Sequence, residues 1–363
     1  MKSDINKINT HRSVKAGVEQ PSSINPNLSV KRIKNRKPQK SVSDYVEGIL
    51  AGNRIILSQA ITLIESKKSA HRILAQEIIE KCLPHAGKSI RIGITGTPGV
   101  GKSTFIEAFG KHITGQGKKV AVLAIDPTSK LSGGSILGDK TRMEQLSSDE
   151  NAFIRPSPAG DSLGGVARKT RETIVLCEAA DYDHIIVETV GVGQSEIAVH
   201  SMVDFFLLLL LPGAGDELQG IKRGIVEMAD MIAVNKADGD RLNAAKKAKV
   251  SYRNALHLFP PSESGWIPQT AICSAMSGMG IADIEATILK YQKQTNKSGW
   301  WTARRQRQAQ YWLEESIQDR LQRLFAENES VKARKVEIEQ AVLEGRMSSF
   351  RGAEELLGLF EGK

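Results

Sequence analysis

The sequence predicts an α/β fold: a mainly parallel β-sheet covered by helices in a three-layer sandwich, with a helical extension before it and a helical region after it. Three observations predict this. Short β-rich runs alternate with stretches of helical periodicity through the middle of the chain. A glycine-rich turn ending in Lys-Ser, residues 96–103, joins the first such run to the first helical stretch. From residue 297 the pattern changes to long polar segments carrying an aromatic and aliphatic stripe.

The first 42 residues read as a disordered basic tail. Residues 1–40 hold ten lysines and arginines against Asp4 and Glu19, so the tail carries nearly all of the formal net charge of +9. It is rich in Ser, Asn, Pro and Lys and cannot bury enough apolar surface to oppose its ordering entropy. A solvated arm, an organelle transit peptide and a docking arm all share that composition. The remaining chain is near neutral, which removes the general argument for nucleic-acid binding, and the arm lacks interleaved aromatic residues. Cys82, Cys177 and Cys273 form no close pair, as expected in a reducing compartment. The longest apolar run, 205–211, is far shorter than the roughly 20 residues of a membrane helix and reads as a buried parallel strand.

Residues 43–88 are expected to be helical. Tyr45, Ile49, Ile56, Leu57, Ala60, Ile61 and Ile64 recur at helical spacing from Ser43, and a second stretch covers 70–82 before Pro84 and Gly87 break it. The central region, 89–296, offers strands at 89–95, 119–125, 152–155, 184–188, 205–211, 231–235 and 270–273. Helices should follow Lys102, Leu163, Ser195, Leu218, Leu242 and Ile281. Residues 297–363 include Trp300, Trp301, Trp312, Ile317, Leu321 and Leu324 among polar residues. Such helices pack on their own domain or form a dimer arm, and the pattern alone does not choose.

Gly96, Thr97, Pro98, Gly99, Val100, Gly101, Lys102 and Ser103 match G-x-x-x-x-G-K-[ST], after an apolar strand and before a helix that starts near Thr104. Backbone N–H groups of such a loop surround phosphate oxygens, aided by the helix N-terminus. Lys102 should span the β- and γ-phosphates and Ser103 should bind Mg²⁺. Magnesium takes oxygen ligands, and three strand-end carboxylates are candidates: Asp126, Asp139 and Glu188. Gly191 closes Glu188-Thr-Val-Gly, where its N–H would sense the γ-phosphate. The next residue is Val192, which cannot orient a water, and Gln194 stands at a different offset. Hydrolysis is therefore expected to be slow in isolation and faster with a partner.

Asn235-Lys-Ala-Asp238 follows a strand. The Asp238 carboxylate can accept from both N1–H and the N2 amine of guanine. Adenine presents neither donor there and would leave the carboxylate unpaired. Lys236 should lie along the base, and Ser274, Ala275 and Met276 should follow the last strand beside the guanine O6. These motifs together point to GTP and GDP with Mg²⁺.

Several longer runs resemble one family. Asp126-Pro-Thr-Ser, residues 133–143, Leu163-Gly-Gly-Val-Ala-Arg-Lys-Thr-Arg-Glu172, residues 188–196 and residues 213–224 are similar to the methylmalonyl-CoA mutase-associated GTPases, the MeaB, MMAA and ArgK group. The resemblance covers roughly 43–330. It implies a homodimeric GTPase that is a chaperone of an adenosylcobalamin-dependent acyl-CoA mutase, gating cofactor delivery and protecting the mutase. It implies a third switch at 213–224 with Asp216, Gln219 and Lys222 as polar contacts, and it assigns Ser103, Asp126, Asp139 and Glu188 to the metal. A cobalamin adenosyltransferase is a further candidate partner. It tips residues 297–363 toward a dimerisation arm. Two departures stand out: Ala159-Gly-Asp-Ser162 replaces the family's Ser-Ser-Gly-Thr, and the tail matches nothing. A cytoplasmic location is expected, with the mitochondrial matrix as the alternative if the tail is a transit peptide. Competing readings are a kinase linked to amino-acid transport and a metal-insertion GTPase. The second usually carries His-rich or close Cys motifs, whereas this chain has seven scattered histidines.

Overall fold

The computed structural model describes residues 40–125, 143–156, 163–189, 195–213 and 223–362. Its first elements are helices α1 (Val42–Leu50), α2 (Arg54–Glu65) and α3 (Ser69–Cys82). The sequence read 43–64 as one helical pattern, and here the structure differs. Gly52 takes φ +71°, and the Asn53 side chain accepts hydrogen bonds from the N–H groups of Ile55 and Ile56, capping a new helix. A left-handed glycine followed by an Asn cap ends one helix and starts the next. The apolar period runs through the break because both helices bury residues on the same core.

The sheet follows. Strand β1 (Ile90–Gly96) leads to α4 (Lys102–Thr114), then β2 (Val120–Ile125), α5 (Glu144–Ser147), β3 (Ala152–Arg155), α6 (Leu163–Ala179), β4 (His184–Thr189), α7 (Ser195–His200), β5 (Phe205–Leu210), α8 (Arg223–Met228), β6 (Met231–Val234), α9 (Leu242–Leu256), β7 (Gln269–Ile272) and α10 (Ile281–Lys297). All seven expected strands are present, displaced at their ends by one residue at most. Their order is β3-β2-β4-β1-β5-β6-β7 and every pairing is parallel. The α/β prediction is met.

Alternate residues of each strand enter opposite cores, as the two-residue strand period requires. Ile90, Ile92, Ile94, Phe205, Leu207 and Leu209 pack with α4 and α10 on one face. Leu123, Ile185, Val187, Phe206, Leu208 and Leu210 pack on the other with α1–α3, α6 and α9.

Three helices close the chain: α11 (Trp300–Glu327), α12 (Glu329–Leu343) and α13 (Ser349–Glu361). The first half of α11 is docked on the sheet domain. Arg305 grips the buried Asp204 carboxylate with two N–H groups at 2.8 and 2.6 Å, Gln308 Nε2 donates to Val203 O at 2.7 Å, and Trp312 Nε1 donates to Ser201 O at 3.1 Å. Beyond that point Leu313, Ile317, Leu321, Leu324, Leu343 and Phe350 are exposed. Among the described residues no helix is long and apolar enough to cross a membrane.

Candidate functional site

The parallel sheet brings the carboxyl ends of its strands to one edge, where ligands of such sheets bind. β1 ends at Gly96, β4 ends at Thr189, and Asn235 and the Cys273–Ser274 pair stand just past β6 and β7. The register places Glu188 beside Ile94 of β1 and Ala124 of β2. Chemistry-bearing residues as far apart in the sequence as Gly96 and Ser274 thus share one rim.

Two glycines of the loop after β1 are dictated by their surroundings. A Cβ on Gly96 would lie 2.4 Å from the Leu209 carbonyl oxygen of β5. Gly101 has φ +90°, and a Cβ there would lie 3.1 Å from Asn235 Nδ2. Left-handed residues in such a loop turn backbone N–H groups toward an anion. Lys102 opens α4, and its ammonium donates to Gly96 O at 2.8 Å across the loop. Burial lowers the Lys102 pKa, while Glu188 and Glu196 oppose that effect.

Ser103 Oγ donates to Glu188 Oε1 at 3.4 Å, and Glu188 is buried. A hydroxyl and a carboxylate together are the oxygen donors that a hard divalent cation requires, so the described part of the donor set fits Mg²⁺. Asp126, Asp139, Gly191, Val192 and Gln194 lie outside the described residues. So do Asp216, Gln219 and Lys222.

Residues of the Asn235–Asp238 motif are hydrogen-bonded directly to the phosphate loop. Asn235 Nδ2 donates to Val100 O at 2.9 Å, and its Oδ1 accepts from Ala275 N at 3.3 Å. Lys236, at φ +57°, donates from Nζ to Gly99 O at 2.7 Å. Asp238 Oδ2 accepts from Ser274 Oγ at 2.9 Å, which sets the carboxylate's orientation. Thr97 flanks the loop at half burial, while Pro98 and Thr104 are exposed on its rim. Met276 belongs to the same turn as Ala275, but its side chain is 82 % exposed.

Sequence reasoning passed over four contributors. Glu196 is fully buried in the first turn of α7, where it attracts Lys102. Thr189 Oγ1 donates to Thr95 Oγ1 at 2.8 Å, tying the ends of β4 and β1 together beneath the site. The Cys273 thiol donates to Asn235 Oδ1 at 3.6 Å. A signal existed for the threonines, since polar residues inside otherwise apolar parallel strands must find partners. For Cys273 there was none, because a buried cysteine looks like any small apolar residue.

The family described as "Methylmalonyl Co-A mutase-associated GTPase MeaB" matches residues 57–330. The mouse protein "Methylmalonic aciduria type A homolog, mitochondrial" is 46 % identical over 90 % of this chain and 81 % of its own length. "GTPase ArgK" of Escherichia coli is 45 % identical over 79 % of this chain and 87 % of its own. A solved structure titled "Crystal structure of LAO/AO transport system kinase" superposes with a TM-score of 0.71 at 36 % identity, covering 90 % of this chain and all of the other.

Proposed function

The chain belongs to the methylmalonyl-CoA mutase-associated GTPase family, and from that premise we propose that it is a GTP-driven chaperone of an adenosylcobalamin-dependent acyl-CoA mutase. The hydrolysis of GTP follows from the family and the fold. The chaperone role is supported by the family's association with that mutase, and the nucleotide-binding half of the reading by one structural observation. Asn235 and Lys236 donate to the phosphate-loop carbonyls of Val100 and Gly99, so base reading and phosphate binding form a single braced unit. In this reading nucleotide state is reported by the loops at 133–143 and 213–224 and by Gly191. The second of these loops holds the expected switch residues Asp216, Gln219 and Lys222.

In this reading the phosphate-loop N–H groups and Lys102 hold the β- and γ-phosphates. Ser103 and Glu188, with Asp126 and Asp139, hold Mg²⁺, which supplies charge neutralisation at the phosphoryl oxygens. Asp238 and the Ser274–Ala275 turn select guanine. Gly191 senses the γ-phosphate. With Val192 following it, intrinsic turnover is slow until a partner orders the water. The exposed apolar residues of α11–α13 form the homodimer contact. A cobalamin adenosyltransferase is a further partner in cofactor transfer, and the protein works in the cytoplasm or, with a cleaved tail, in the mitochondrial matrix.

The test is a pull-down of purified acyl-CoA mutase by this protein, loaded with GDP or with a non-hydrolysable GTP analogue, paired with GTP turnover. Binding that depends on the nucleotide and a turnover increase of about tenfold or more, equivalent to ~1.4 kcal/mol of barrier, are expected. A mutase that neither binds nor alters turnover ends the reading. A second reading rests on the similarity to the LAO/AO transport system kinase. Phosphate transfer from γ-labelled GTP to an amino-acid-binding transport protein would support it.

A further inference from the structure

Away from the nucleotide rim, a cavity of about 260 Å³ opens where the start of α3, the first turns of α6 and the C-terminal third of α11 meet. Five cationic side chains line it: Lys67, Arg72, Arg168, Lys169 and Arg323. They come from three separate parts of the chain. Arg168 and Lys169 belong to the Leu163-Gly-Gly-Val-Ala-Arg-Lys-Thr-Arg-Glu172 run that the nucleotide site does not use.

The carboxylates nearby are fewer. Asp319 and Glu327 line the cavity, and Glu172 stands behind it. Asp319 is held by Arg323 at 2.6 Å and Glu172 by Arg168 at 3.2 Å. Arg72, Arg168, Lys169 and Arg323 all act electrostatically on the one Glu172 carboxylate. Like charges gathered in a concave, partly desolvated space raise the local potential and concentrate anions. Three of the five are arginines, whose planar forks match the oxygens of a phosphate. Gly165, in the first turn of the 17-residue helix α6, adds the positive end of a helix dipole. The volume is below the usual range for drug-sized ligands, roughly 300–1,000 Å³, and suits a small phosphate group better than a nucleotide or a protein surface.

We propose that this cavity is a second anion site, distinct from the phosphate loop, which takes a small phosphate-bearing molecule between Arg72, Arg168 and Arg323. Its ligand bridges α3 of the N-terminal helical region and α6 of the nucleotide domain to α11, the helix that carries the C-terminal region. Asp319 competes with the ligand for Arg323.

The experiment is calorimetric titration of inorganic phosphate and of pyrophosphate into the full-length protein carrying one equivalent of GDP, at low and moderate salt. One site per chain is expected, weakening as salt rises. Arg72→Gln/Arg168→Gln should weaken pyrophosphate binding at least tenfold while GDP affinity is unchanged. Asp319→Asn should tighten it several-fold, a gain that misfolding cannot mimic. Lys102→Ala should leave it in place. Loss of the signal in Lys102→Ala, with retention in the arginine variant, would put the anion in the phosphate loop and overturn the proposal. So would the absence of any binding, indifference to both the arginine and Asp319 substitutions, or a response to polyglutamate with none to phosphate or pyrophosphate.

Discussion

In the proposed reading Asp238 selects the base, with a carboxylate that accepts from Ser274 Oγ at 2.9 Å. Replacing Asp238 with Asn keeps the size and exchanges one acceptor for a donor. That donor faces the N2 amine of guanine but complements the 2-oxo group of xanthine. Asp238→Asn should weaken GDP by about 10- to 100-fold, the equivalent of ~1–3 kcal/mol for an unmatched buried polar group, and should improve XDP. Competition against a fluorescent guanine nucleotide reads both, and equal loss for the two nucleotides would refute the base-reading role. At this scale the sequence was informative because each motif residue has a chemistry few others can supply. Lys102, Ser103, Asn235 and Asp238 could be singled out as candidates for that reason. Glu196 could not, since its meaning comes from lying near Lys102, and that nearness is made by packing α7 against β1 and β4.

Strand and helix positions followed from apolar period, and the parallel sheet followed from their alternation. The alternation says which residues are inside but not which helix end touches which strand. The docking of α11 is the clearest case. Its aromatic stripe fitted either self-packing or a dimer arm, and the structure divides it between an anchored first half and an exposed second half. Arg305 is the anchor. Arg305→Ala strands Asp204, only 2 % exposed, with its carboxylate reduced to the Arg91 N–H as partner. Loss of one member of a buried pair costs about 3–5 kcal/mol. Arg307, two residues on, makes an ion pair with Glu263 in which both side chains are mostly exposed, at 64 % and 73 %. Arg307→Ala should cost less than about 1 kcal/mol. Urea unfolding of the two variants side by side measures the contrast, and comparable losses would mean that Asp204 is not what holds α11.

Across the whole molecule, α12 and α13 pack mainly on each other and present Leu343 and Phe350, at 83 % and 84 % exposure, to solvent. Large apolar residues grouped on a surface mark an association face. A chain ending at residue 328 should retain GDP binding, because every described nucleotide contact and the Arg305, Gln308 and Trp312 anchors precede that point. It should sediment as a monomer where the full chain sediments as a dimer. A full-length monomer would remove these helices as the contact, and a dimer that survives the truncation would confine the contact to α11.

What the sequence determined by itself was the local chemistry: a phosphate loop, a guanine motif, an alternating α/β pattern and a family resemblance over roughly 43–330. Each is encoded in residues close together in the chain. The tertiary structure decided everything that depends on distant residues meeting. It split the first helical pattern at Gly52–Asn53, tied Asn235 and Lys236 to the phosphate loop, buried Glu196 near Lys102 and gathered five cations from three parts of the chain into one cavity. The physical reason is that pattern and propensity report how a segment covers its own apolar face. Close approach between segments is set by the register and packing of the sheet that carries them all.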